Sequence, residues 1–194
     1  MTFQPKGIIP AMVTPVTKDG KINMEALRKL TNYLIEGGVH GLFPVGSQGE
    51  FYALTFEEKK KVLEVVVDEA RGRVPIYAGT GAITTREAIS LTKMAESAGV
   101  SAVSVLTPFF IHPNETELFE FYSAIANATR LPVLLYNNPG RTGVNISANF
   151  VVSASKVENI VGIKDSSGDL TLTAEYIRRT DETFSVLAGR ATLI

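Results

Sequence analysis

Seven short apolar runs, the first six each followed by a helical pattern, constrain this chain more than any other feature. They are GIIPAMV (7–13), GLFPV (41–45), VPIYAG (74–79), VSAVSVL (100–106), LPVLLY (131–136), NIVGIK (159–164) and FSVLAG (184–189). Their starts lie about 24 to 34 residues apart, the length of one βα unit. The runs are apolar throughout, as parallel strands covered on both faces are. Helix signals fill the gaps. Asn23 stands before a stripe of Leu27, Leu30, Leu34 and Ile35 that closes at Gly37 and Gly38. Thr55 and Glu58 have capping-box spacing ahead of Val62, Leu63, Val65 and Val66. Thr84 with Glu87, and Asn114 with Glu117, repeat that start. Ser147 and Leu170 open two weaker patterns.

Alternating strands and helices predict an α/β fold. A doubly wound sheet usually carries a G-x-G-x-x-G turn after its first strand. Here Thr14, Pro15 and Val16 follow the first run instead. The even repeat therefore selects a (β/α)8 TIM barrel. Such a barrel takes about 250 residues, whereas this chain has 194. The expectation is a single barrel domain over residues 1–194, incomplete, with about six βα units, a seventh strand and the C-terminal part missing.

Lys and Arg total 19 against 20 Asp and Glu, and no like-charge run exceeds Lys59-Lys60-Lys61. That balance predicts no nucleic-acid partner and no anionic membrane partner. The chain has no cysteine, which removes disulfides, thiol nucleophiles and thiolate metal sites and suits a reducing compartment. Pro10 and Pro15 break up the N-terminal apolar patch, so no secretory pattern is read there. No apolar run reaches the ~20 residues of a membrane span. The expectation is a cytoplasmic protein.

Barrel sites lie at the C-terminal ends of the strands. That rule nominates Thr14, the loop 46–50, residues 79–81, residues 107–110, Tyr136 with Asn137 and Asn138, Lys164 with Asp165, and Gly189 with Arg190. Lys164 is the sharpest of these. An ordinary lysine has a pKa of about 10.4, so roughly one in 2500 is neutral at pH 7. Only the neutral amine attacks a carbonyl, and burial favours that form. A strand-end lysine that snorkels to solvent is the competing reading. Tyr136 ends the preceding run. Adjacent strands lie about 4.8 Å apart, so phenol and amine can share one site, and imine formation needs such a proton donor. A half-buried tyrosine with a wet hydroxyl is equally ordinary. The GSQGE loop (46–50), with the Ser47 hydroxyl, has the form of an anion nest for a carboxylate. Arg141 can hold a second carboxylate bidentately, or stay solvated in its loop. His40 is given a structural role and His112 a place in a surface loop. No His, Asp and Glu cluster has metal-ligand spacing, so neither metal nor other cofactor is expected.

Taken together, GSQGE (46–50), YNNPGRTG (136–143) and GIKDSSGD (162–169) resemble the dihydrodipicolinate synthase / N-acetylneuraminate lyase family. These are pyruvate-dependent class I aldolases on a (β/α)8 barrel. The resemblance implies that Lys164 forms a Schiff base with the keto group of pyruvate and that Tyr136 relays protons. It implies that the Ser47 hydroxyl binds the pyruvate carboxylate and touches that tyrosine. Gln48 replaces the second hydroxyl residue of the loop and joins it in substrate binding. Gly189 lies where the family lines the pyruvate pocket. Arg141 matches the arginine that, in the synthase branch, binds the carboxylate of aspartate semialdehyde, a substrate of lysine biosynthesis. The segment PFFIHP (108–113) has Phe110 where that branch has a tyrosine reaching into a neighbouring subunit, and Ala191 stands where many members are acidic. The resemblance also implies a homo-oligomer, a tetramer built as a dimer of dimers. A 2-keto-3-deoxy acid aldolase, an N-acetylneuraminate lyase-like enzyme and a non-catalytic keto-acid-binding barrel remain as alternatives.

Overall fold

The computed structural model describes residues 3–193. Five parallel strands form one sheet in sequence order: β1 (Tyr77–Gly79), β2 (Ala102–Leu106), β3 (Val133–Asn137), β4 (Ile160–Asp165) and β5 (Ser185–Ala188). The two N-terminal runs extend this array as single parallel bridges, Ala11 to Phe43 and Leu42 to Ile76. They are not the regular strands that their apolar character predicts. Pro10, Pro44 and Pro75 interrupt the ladder because proline has no N–H to donate. Their carbonyls still accept, from Phe43, Gly79 and Leu42 respectively. Seven parallel segments thus curve side by side into a partial barrel.

The helices follow the caps. Asn23 receives the Ala26 N–H at the start of α1 (Met24–Glu36). A complete capping box at Thr55 and Glu58 opens α2 (Phe56–Ala70). Thr84 receives the Glu87 N–H at the start of α3 (Thr85–Ser97), without the reciprocal bond from the glutamate. Asn114 and Glu117 form the second complete box, ahead of α4 (Glu115–Asn127). A short helix that no sequence signal announces, α5 (Pro139–Thr142), follows β3. Ser147 caps α6 (Ala148–Ala154), and Asp169 caps α7 (Leu170–Arg179).

Two apolar layers result from strand alternation. Val103, Val105, Val133 and Leu135 face outward and join Leu63, Val66, Leu91, Ile125 and Phe150 of the helices. Ala102, Leu106, Leu134 and Tyr136 face inward and pack with Phe43 and Tyr77 inside the barrel. Between β3 and β4 the register shifts by one residue: Val133 pairs Ile160, but Leu134 pairs Gly162. That bulge turns Lys164 to the inner face, opposite Tyr136, where an unshifted ladder would present Ile163.

Candidate active site

Tyr136 and Lys164 are cross-strand partners near the C-terminal ends of β3 and β4. The Lys164 ammonium sits 4.3 Å from the centroid of the Tyr136 ring and 4.4 Å from that of Phe43. The two rings meet edge to face at 6.2 Å. This aromatic walling removes water from the amine, and burial lowers the Lys164 pKa below its ordinary value against the raising pull of Tyr136. The Tyr136 phenol is 5% exposed. Burial acts to raise its pKa, but Lys164 and then the Ser47, Ser166 and Asn138 side chains outweigh burial and bring it below the ordinary tyrosine value. The Asn138 amide donates to the phenol oxygen at 3.1 Å. Amine and phenol therefore form one coupled acid–base pair.

Ser47 opens a single 3-10 turn, Ser47–Gly49, between Gly46 and Glu50, and two residues of this loop have left-handed backbone. Val45 has φ 57° and Glu50 φ 54°. A β-branched residue in the left-handed region is a genuine outlier, of the kind held only where surrounding structure enforces it. The enforcement is visible: Thr14 donates its hydroxyl to the Gly49 carbonyl at 2.7 Å. The Ser47 hydroxyl is buried and makes no hydrogen bond, although it lies near enough to Tyr136 to favour the phenolate. Gln48 is exposed at the tip of the turn.

Gly189 is explained by a residue that the sequence reading passed over. A Cβ at Gly189 would lie 2.0 Å from the Ser166 hydroxyl and 3.0 Å from the Asp165 carbonyl. The absent side chain lets β5 close over Ser166, and the Gly189 N–H donates to Asp165 at 2.7 Å. Ser166 is buried and flanks Tyr136. Strand alternation from Lys164 would have found it, since residues 164 and 166 share a face. Phe43 and Ser104 were likewise missed, whereas Asn138 was among the strand-end residues nominated. Phe43 reads simply as core, and nothing local marks Ser104 on β2.

Behind the pair, a polar clamp joins the same two strands. The Asn137 amide donates to Asp165 at 3.1 Å and to Asn145 at 2.9 Å. Asp165 also accepts from the Thr173 hydroxyl at 2.6 Å and the Ser167 hydroxyl at 3.0 Å. Both Asn137 and Asp165 are buried. Because Asn137 and Asp165 are the next register partners after Tyr136 and Lys164, this network pins the bulged register.

Arg141 lies on α5 instead of in a loop, is exposed, and forms none of the ion pairs found among the described residues. His40 accepts the Ile8 N–H on Nδ1 at 3.0 Å, at the N-terminal end of the array. His112 is exposed beside Gly143. Among the described residues no group of three or more His, Cys, Asp and Glu is placed to hold a metal ion, and no helix is long and apolar enough to cross a membrane. A desolvated amine, a phenol of lowered pKa and a ring of small hydroxyls make a site for carbonyl chemistry through an imine.

Known proteins share this arrangement of chain. The sequence is 45% identical over 184 residues to the 4-hydroxy-tetrahydrodipicolinate synthase of Syntrophus aciditrophicus, covering 95% of this chain and 63% of that protein. It superposes on a dihydrodipicolinate synthase of Bacillus anthracis with a TM-score of 0.96 and 42% identity, covering 98% of this chain and 66% of the other. A dihydrodipicolinate synthase of Acinetobacter baumannii, solved in complex with pyruvate, superposes with a TM-score of 0.93 and 42% identity, covering 97% of this chain and 64% of the other. The chain thus spans a little under two thirds of the relatives it matches. Residues 4–194 match the profile of the Dihydrodipicolinate synthetase family, and the chain belongs to that family.

Proposed function

We propose that this protein is a Schiff-base-forming lyase of the class I aldolase type, acting as a 4-hydroxy-tetrahydrodipicolinate synthase on pyruvate and aspartate semialdehyde in lysine biosynthesis. One observation carries the reading: Lys164 is held between the rings of Phe43 and Tyr136, with its pKa lowered by burial. The neutral amine attacks the keto carbon of pyruvate to give a carbinolamine. Tyr136 gives its proton to the carbinolamine hydroxyl, which leaves as water, and the imine forms. The Tyr136 phenolate then takes a proton from the methyl carbon to yield an enamine, and that carbon attacks the aldehyde. Ser47 and Gln48 receive the pyruvate carboxylate, Gly189 keeps the adjoining wall thin, and Arg141 takes the carboxylate of the aldehyde. A relative of 42% identity bears pyruvate in its solved structure, which supports the choice of keto acid.

Borohydride reduction in the presence of pyruvate tests the reading. A reduced pyruvyl adduct is expected on the peptide containing Lys164. An adduct elsewhere, or one that persists in Lys164→Ala, overturns it. Gln48 and Phe110 lack the hydroxyls of the synthase pattern, which favours a second reading, cleavage of a 2-keto-3-deoxy acid. Aspartate semialdehyde consumption and 2-keto-3-deoxygluconate cleavage, assayed side by side, separate the two. The cysteine-free sequence suits the cytoplasm. Phe110, 90% exposed at φ 73°, and Ile111, 50% exposed, form an apolar rim that suits assembly into a dimer of dimers.

A further inference from the structure

Two buried hydroxyls face one cavity without partners. Ser104, on β2, is 4% exposed, and its Oγ makes no hydrogen bond. Ser47 Oγ is likewise buried and unpaired. Both line a cavity of about 10 Å³, together with Tyr136, Gly46, Gly79, Gly81 and apolar neighbours. Two glycines open it. Gly79 is the cross-strand partner of Ser104, and a Cβ there would lie 2.1 Å from the Val45 carbonyl oxygen. No side chain therefore separates Ser104 from the 46–49 turn. At Gly81 a Cβ would lie 2.6 Å from Leu106. A buried hydroxyl left unpaired costs about 1–3 kcal/mol, and two that share a cavity are better satisfied by one shared partner. A cavity of this volume, with two or more polar partners, meets the lower limit for a single water.

We propose that this cavity binds one water molecule, held by Ser104 and Ser47, and that through it Ser104 positions the Ser47 hydroxyl toward Tyr136. The water donates one hydrogen to Ser104 Oγ and accepts from the Ser47 hydroxyl or donates to it, so that Ser47 presents one defined lone pair or hydrogen to the phenol. Ser104 touches no reacting atom; it is a positioning residue. The positioning half rests on the function proposed above, whereas the water site does not.

The test begins with crystals of the substrate-free protein at a resolution that shows ordered water. One peak within hydrogen-bonding distance of both Ser47 Oγ and Ser104 Oγ is expected, absent in Ser104→Ala and in Ser104→Val. Pyruvate trapping by borohydride is then followed against pH and pyruvate concentration. Ser104→Ala is expected to slow trapping about 2- to 12-fold, the span of one net hydrogen bond, with the alkaline limb of the pH profile displaced and the half-saturating pyruvate concentration within twofold. Thermal melting confirms that each variant is folded. Absence of the peak from the wild-type protein overturns the water site. A peak with unchanged trapping rate and pH profile in Ser104→Ala overturns the positioning role. A peak in a wild-type protein that traps no pyruvate leaves the water site standing and removes the function it was argued to serve.

Discussion

Tyr136 stands opposite Lys164 because β4 carries one extra residue. The pairing Val133 to Ile160 gives way to Leu134 to Gly162, and the shift sets phenol against amine at 4.3 Å from ring centroid to ammonium. Gly162 permits it, since a Cβ there would lie 2.5 Å from the Ser185 carbonyl oxygen. Gly162→Ala is therefore expected to destabilise the protein by about 1–3 kcal/mol, the cost of overpacking against backbone. A shift of the urea midpoint with an unchanged m-value is the measurement. An unchanged midpoint would mean that β5 yields at no cost.

Tyr136→Phe keeps the ring beside the ammonium and removes the proton. The expected result is a folded protein whose imine formation is slower by about 10²- to 10⁴-fold, the usual worth of a positioned acid–base group. Rapid-quench borohydride trapping reads it. Wild-type kinetics in this variant would assign proton transfer to another hydroxyl, and Ser47 and Ser166, which flank Tyr136, are the candidates.

The pH dependence has two limbs. Neutral Lys164 is the attacking form, so trapping rises with pH through a pKa held below the lysine value of 10.5 by burial. Protonated Tyr136 is the donor, so the rate falls again as the phenol ionises below the tyrosine value of 10.0. A bell is expected, with both limbs belonging to the coupled pair. A profile that climbs without a break to pH 10 would contradict the lowered values.

Stability follows the same group with the same preference for the neutral amine. The Lys164 pKa is lower in the folded chain than in the unfolded one, so the unfolded state binds more protons between those two values. Stability therefore rises with pH across that window. Below it, the buried charge is a constant penalty. Lys164→Met removes the penalty and is expected to raise the melting temperature at pH 7 by about 2–4 °C, the response of a domain this size to about 1 kcal/mol. The gain should shrink as the pH approaches the unfolded lysine pKa. A gain that stays level with pH would point to better packing by Met instead.

Asn137→Ala separates the clamp from the reacting pair. It removes the donor shared by Asp165 and Asn145 and leaves Asp165 with its hydroxyl partners. A loss of about 1–3 kcal/mol is expected from denaturant unfolding, with slower pyruvate trapping as the register loosens. Trapping at the wild-type rate would show that the bulge alone holds Lys164 in place.

Much of this was legible in the chain itself. The spacing of apolar runs marks every parallel segment, because strands buried on both faces need continuous apolar residues. The caps at Asn23, Thr55, Thr84, Asn114 and Ser147 mark the starts of helices, because their side chains satisfy the first free N–H groups locally. Lys164, Tyr136 and Ser47 were nominated by position at strand ends. What the residues alone did not determine depends on contacts between distant segments. The prolines that reduce the first two runs to single bridges matter only where a neighbour's carbonyl seeks a donor. The helix carrying Arg141 has too few residues to leave a periodic signal. The bulge at Val161, the Ser166 hydroxyl filling the space above Gly189, and the Ser104 hydroxyl behind Gly79 each arise from close approach across strands. Local sequence specifies which residues sit on strands and which face helices. Tertiary packing decided which inward side chains meet, because a one-residue change of register exchanges one face of a strand for the other.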